Sequence, residues 1–182
     1  MGKSPAQISD DGITILNAFS PQRPQRTQRF NVKLLKIKRI VSHREHRDTE
    51  SIMQLNYLSS KIIQAAINVH KELGPGLLES VYQVCMVIEF KYMGITVRSE
   101  VPLPIFYRGQ RVHEEGFRLD LLVENTIIIE LKSVEKVQDV HKKQLLTYLR
   151  LAKKPLGLLI NFNQAMLKDG ITRIINTPPE SI

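Results

Sequence analysis

The chain contains one cysteine, Cys85, among 182 residues, which excludes an internal disulfide. Cys85 sits among apolar residues in a helical pattern, so it is expected to be a small core residue in a reducing compartment. No histidine is spaced to accompany it, which argues against a structural zinc site. No window approaches the roughly 18 consecutive apolar residues of a membrane span. The N-terminus has no apolar signal-peptide core. A cytoplasmic protein away from the membrane is expected. No segment repeats internally.

What remains is ordinary globular material, 42% hydrophobic and 24% charged, which excludes fibrous and wholly disordered classes. The formal charge is +8 and the pI near 9.7, a balance that suits a polyanionic partner such as nucleic acid. The charge is unevenly placed: residues 1–52 hold ten of the 26 basic side chains and five of the 18 acidic ones. The remainder is therefore only mildly basic.

Residues 1–52 are expected to be a disordered or loosely attached basic extension. SPQRPQRTQRF and HREHRDTE are rich in proline or charge and lack sustained periodicity. Between them VKLLKIKRIV (32–41) suits a short strand or a basic amphipathic helix. A patterned domain is expected over 53–182, and Met53 at its start is a candidate translation start. Ile62, Ala65, Ala66 and Val69 recur at helical spacing until Gly74-Pro75-Gly76 stops the helix. LLESVYQVCMVIEFKYM (77–93) predicts a second helix, ended by Gly94. Three strands in meander order follow, over 95–107, 112–124 and 126–134. DVHKKQLLTYLRLAK (139–153) is helical again, with Val140, Leu145, Leu149 and Ala152 on one side. PLGLLINFN and GITRIIN supply two last strands. The order ααβββαββ predicts an α/β fold with a mixed sheet.

One strand contains a contradiction. IIIELKSV begins as a buried strand, yet Glu130 and Lys132 interrupt it on one face, because strand side chains alternate. Burying two charges costs several kcal/mol per ion unless they are paired or bind something. A hairpin around Asn125 with a three-residue loop sets Asp120 opposite Glu130, with Cβ atoms about 5 Å apart. Close carboxylates raise each other's pKa. A divalent cation such as Mg²⁺ removes that conflict, since it takes one or two carboxylates and keeps several waters. Lys132, one pleat further on, could then orient or deprotonate a bound water. Taken alone, an acid and a lysine two residues apart are usually a solvated strand face; the apolar neighbours on both strands favour the metal site.

Asp120, nine intervening residues, then Glu130-Leu131-Lys132, set among αβββαβ elements, resembles the PD-(D/E)xK nuclease superfamily. Gly76-Leu-Leu-Glu79-Ser-Val-Tyr82 is similar to the motif that names the GxxExxY family. The resemblance spans roughly residues 53–176. It implies a restriction-endonuclease-like αβββαβ core with a mixed central sheet flanked by helices. It also implies a Mg²⁺- or Mn²⁺-dependent nuclease acting on nucleic acid, with DNA the expected substrate. Asp120 and Glu130 would be metal carboxylates, Glu79 a further acid facing the metal, and Lys132 would stand beside the attacking water. Gln144 and Tyr148 match the glutamine-and-tyrosine signature on the helix after the sheet. The proline of the superfamily name is absent, since Leu119 precedes Asp120. Without the resemblance, Gly76, Glu79 and Tyr82 would read as a turn glycine, a helix-dipole acid and a core tyrosine. His70 is a lesser candidate for the site, and Lys142 and Lys143 are candidates for phosphate contact. The competing expectations are a nucleic-acid-binding module that has lost its chemistry, and a scaffold forming a homodimer through a sheet edge or helix face. No helix-turn-helix or zinc-finger pattern narrows the target.

Overall fold

The computed structural model describes the backbone of residues 25–176, with side chains from residue 49 onward except at 113–115. The chain divides into two compact units, Met1–Glu50 and Ser51–Ile182. Helix α1 spans Gln25–Leu73. It starts about thirty residues before the sequence pattern becomes regular. Pro24 precedes it and no proline or glycine interrupts it, so nothing in that stretch breaks a helix. The backbone over 25–52 is helical, and 32–41 takes the helical of its two options. The part of the expected extension over 1–24 lies outside the described residues, as does 177–182.

After α1 come α2 (Glu79–Tyr92), β1 (Val97–Tyr107), β2 (Gln110–Val123), β3 (Ile127–Lys132), α3 (Asp139–Ala152), β4 (Leu156–Asn161), a short 3₁₀ turn (Leu167–Gly170) and β5 (Ile171–Ile175). The expected order of elements holds. The five strands form one sheet in sequence order. Neighbours are antiparallel except β3 and β4, which run parallel through the α3 crossover. The prolines of β1, Pro102 and Pro104, lie on an edge strand, where a missing N–H costs no ladder bond.

Both faces of the central strands are covered. Ile127, Ile129 and Leu131 pack with Ile62, Ala65 and Ala66 of α1 and Tyr82, Met86 and Phe90 of α2. Ile128 points the other way, with Leu122 and Leu159, onto Leu145, Tyr148 and Leu149 of α3. This explains why β3 and β4 are nearly continuous apolar runs. Each fully buried isoleucine contributes about 1.5–3 kcal/mol. Gly157 lets α3 close on the sheet, since a Cβ there would lie 2.9 Å from the Leu145 side chain. Val140, expected on the core side of α3, is 58% exposed. Five residues before Leu145, it lies about 140° round the helix from it. Cys85 is half-buried at the rim of the α1–α2 core rather than within it.

Candidate metal centre

The β2–β3 loop sets the site's register. Glu124 and Asn125 both take positive φ, 47° and 50°, and the Thr126 N–H closes the turn on the Val123 carbonyl at 2.9 Å. Paired left-handed residues match the twist of the flanking strands. The resulting partners are Val123–Ile127, Leu122–Ile128 and Leu121–Ile129. Asp120 and Glu130 are next in this register, but here the ladder stops. The Leu131 N–H is accepted by Asp120 Oδ2 at 2.8 Å. A side chain has replaced the backbone acceptor at the fork where β2 leaves β3.

Glu130 is 3% exposed. Its Oε1 accepts from Lys132 Nζ at 2.9 Å, while its Oε2 is buried with no hydrogen-bond partner. Burial first, and the nearby Asp120 charge second, push its pKa up to about 7. Burial also raises the Asp120 pKa, outweighing the stabilising Leu131 N–H. Burial acts on Lys132 in the opposite sense to its neighbours: it favours the neutral amine. The bond to Glu130 and the charges of Glu130, Glu79 and Asp120 outweigh it and lift the pKa above that of a free lysine. Of the two roles expected for Lys132, orienting or deprotonating a bound water, an ammonium ion among these acids suits the first. Lys132 also donates to its neighbour's carbonyl, Leu131 O, at 2.9 Å.

Glu79 reaches this group from the first turn of α2. Its Oε1 accepts from the Ser133 N–H at 3.0 Å, and its Oε2 stands 3.8 Å from Lys132 Nζ. The preceding loop aims it. Gly74 and Gly76 have φ of 69° and 98°, angles that only glycine adopts at little cost. The buried Tyr82 hydroxyl donates to the Gly74 carbonyl at 2.7 Å and accepts from the Leu77 N–H at 3.2 Å. Its ring stacks on Phe162 with centroids 4.2 Å apart. Ser133 Oγ adds a bond to the Leu77 carbonyl at 2.6 Å. Glycine, glutamate and tyrosine at this spacing thus form one device: a loop, the acid it carries, and the hydroxyl that pins it. Beyond β3, the buried Asn161 amide exchanges bonds of 2.8 and 3.0 Å with the backbone of Val134.

Two residues join the site that sequence reasoning missed. Gln83, four positions after Glu79 and so on the same helical face, donates to the Asp120 carbonyl at 3.2 Å and to Glu100 Oε1 at 2.6 Å. Helical spacing from Glu79 could have found it. Glu100 lies between the pairs Ser99–Leu121 and Val101–Leu119, level with Asp120. It has a φ of 53°, and its charge contributes to raising the Asp120 pKa. A cleft of about 520 Å³ opens beside these groups, lined by Leu77, Glu79, Gln83, Asp120, Leu131 and Ser133 among others.

Other candidates take varied places. Gln144 and Tyr148 share a face of α3 and are hydrogen-bonded to each other. Burial raises the Tyr148 pKa, with smaller contributions from Glu130 and Asp120, so its hydroxyl is within electrostatic reach of the acids. His70 does not turn toward the carboxylates: its Nε2 is 2.8 Å from the Gln164 carbonyl and its ring lies against Phe162. Lys142 and Lys143 are exposed, and Lys142 pairs with Asp139 at 3.4 Å.

These side chains fit a hard divalent cation. Asp120 Oδ2 and Glu130 Oε1 already hold partners, and Glu130 Oε2 is buried without one, an oxygen that a cation would satisfy. Among the described residues, no group of three His, Cys, Asp or Glu is arranged to hold a metal alone. The donor set thus suits an ion that completes its shell with water.

A nuclease-type α/β core with an acid–acid–lysine fork is the class that fold and site define. The model of the PD-(D/E)XK nuclease superfamily matches residues 56–174, and the chain belongs to that superfamily. Nucleases of this superfamily generally use divalent metal ions and act on nucleic acid. No curated protein and no solved structure matches the chain. Among the described residues, no helix is long and apolar enough to cross a membrane.

Proposed function

We propose that the protein is a Mg²⁺- or Mn²⁺-dependent nuclease that hydrolyses phosphodiester bonds in DNA, and that it is of the GxxExxY type. The observation that carries the reading is Glu130 Oε2, a buried carboxylate oxygen with no partner, beside a second carboxylate. A purely structural Glu130–Lys132 pair would leave that oxygen unexplained, because buried polar atoms are almost always satisfied. This weighs against an inactive binding module or scaffold that merely keeps the fold. The working domain is 53–182, in keeping with a division between units at Glu50 and Ser51 and a superfamily match that begins at residue 56. The half-buried thiol of Cys85 suits a reducing, intracellular setting.

When bound, the divalent ion polarises a phosphoryl oxygen and lowers the pKa of its water. Asp120 and Glu130 would hold it. Glu79, whose oxygens face Ser133 and Lys132, would be the further acid of the site. Lys132, held as an ammonium by its acids, orients the attacking water and offsets negative charge on the phosphate. Gln144 and Tyr148 form the α3 wall of the site. Linear, circular and single-stranded DNA incubated with Mn²⁺, Mg²⁺ or EDTA provide the test. Wild type should cut only with metal; Lys132→Ala and Asp120→Asn should fold and not cut. Full cleavage by a folded, nuclease-free Lys132→Ala preparation refutes the assignment. Mn²⁺ titration separates it from the scaffold reading, which predicts no metal binding.

A further inference from the structure

The β1–β2 ribbon outruns the rest of the sheet. β2 stays paired with β1 from Gln110 to Val123 but meets β3 only over Leu121–Val123. Ten residues of β2, facing seven of β1 across its irregularities, run past the fork that carries Asp120, a reach of about 20–25 Å at the usual strand rise. At its base the ribbon is anchored on α3: Leu103 is buried against that helix, and the Phe117 ring lies 5.1 Å from the Tyr148 ring. Further out, Phe106, Tyr107 and Val112 are 60, 64 and 54% exposed. The Arg108 guanidinium sits over the Tyr107 ring at 5.6 Å. A two-stranded ribbon is at best marginally stable in water, so exposed aromatics at its outer end call for a partner.

We propose that this outer end is the docking surface for an unpaired, single-stranded stretch of the nucleic-acid substrate. The inference rests on the nuclease reading and adds the substrate class. Exposed aromatic rings with arginine beside them suit base stacking and backbone neutralisation together, the combination by which single strands are held without sequence preference. Arg108 and Arg111 flank the turn at the tip, while Glu114 and Glu115 follow on β2, so aromatic stacking rather than net charge argues for the nucleic acid. The surface is also continuous with the chemistry, since β2 carries Phe117 against Tyr148 and, three residues on, Asp120. A base pair has no free face for Phe106 or Tyr107 to cover, so duplex is the poorer fit.

The chain has no tryptophan, so Tyr107→Trp introduces a single probe at the tip. In a Lys132→Ala background with Mn²⁺, oligothymidylate should quench its emission, and a blunt duplex should not. By anisotropy, Phe106→Ala/Tyr107→Ala should weaken oligothymidylate binding by about tenfold or more, with unchanged melting temperature and Mn²⁺ affinity. Three results overturn the proposal: equal binding by the tip variant, emission indifferent to the single strand, or tip substitution that splits a dimer while binding persists. Failure to bind any nucleic acid also overturns it. Wild-type cleavage is scored separately, so metal-dependent cutting without tip dependence removes the ribbon's role and leaves the nuclease reading standing.

Discussion

Replacing Glu130 with glutamine should stabilise the metal-free protein at alkaline pH while abolishing its response to metal. Glu130 titrates near pH 7 in the folded chain, against about 4.3 for a free glutamate. Below the lower value both states carry the proton and the residue contributes nothing to the pH dependence. Between the two, the unfolded chain loses its proton and the folded one keeps it, so stability falls as pH rises. The loss is complete above about pH 7.5. At about 1.4 kcal/mol per pKa unit, it amounts to roughly 4 kcal/mol. Glutamine has the same length, offers its carbonyl to Lys132 and carries no charge, so Glu130→Gln avoids that loss. For a domain of this size, about 4 kcal/mol corresponds to about 12 °C in melting temperature. Thermal unfolding in EDTA at pH 5 and pH 8 measures it, and the difference between the two proteins cancels every other titrating group. The curves should differ by about 1 kcal/mol at pH 5, where the unfolded glutamate is already mostly ionised, and by about 4 kcal/mol at pH 8, with the variant higher. Added Mg²⁺ or Mn²⁺ should raise wild type at pH 8 by about 2.7 kcal/mol at a hundredfold excess over Kd, and leave the variant unmoved. A wild type as stable as the variant at both pH values would mean that Glu130 is not a stressed carboxylate, and the argument for a cation would lose its foundation.

Tyr82→Phe should keep the ring stack on Phe162 but release the Gly74–Leu77 loop, costing about 1–2 kcal/mol. Mn²⁺ affinity and cleavage should fall with it, and the effect should vanish in a Glu79→Gln background; full additivity in that cycle would show that the hydroxyl does not act through Glu79. Gly116→Ala should destabilise by about 1–3 kcal/mol in chemical denaturation, because Gly116 has a φ of 64° and an added Cβ would meet the Leu103 carbonyl oxygen at 2.2 Å. An unchanged denaturation midpoint would show that the ribbon does not pack so closely there.

Much of this site is written locally. The acids meet because a three-residue loop joins two strands of period two, so Asp120 falls level with Glu130 whatever surrounds them. The Glu79–Tyr82 and Gln144–Tyr148 spacings are likewise visible, since one helical turn brings their members onto a shared face, and Gly76 marks the loop before α2. Glu100 was not legible. Counting back from the Tyr107–Gln110 turn in regular register would set Glu100 opposite Phe117; irregularities near Leu103 and Ile105 shift it by three residues to stand beside Asp120. Nor was the start of α1, where helix propensity acts without the amphipathic pattern that usually reveals it. Sequence by itself determined the order of elements, the identity of the acids and their pairing, because these follow from short-range geometry. Tertiary structure alone decided that the neighbouring acids outweigh burial at Lys132, that one oxygen of Glu130 is buried without a partner, and that Gln83 links the Asp120 carbonyl to Glu100. Burial and charge at a point depend on what distant segments bring there, and no local pattern encodes that.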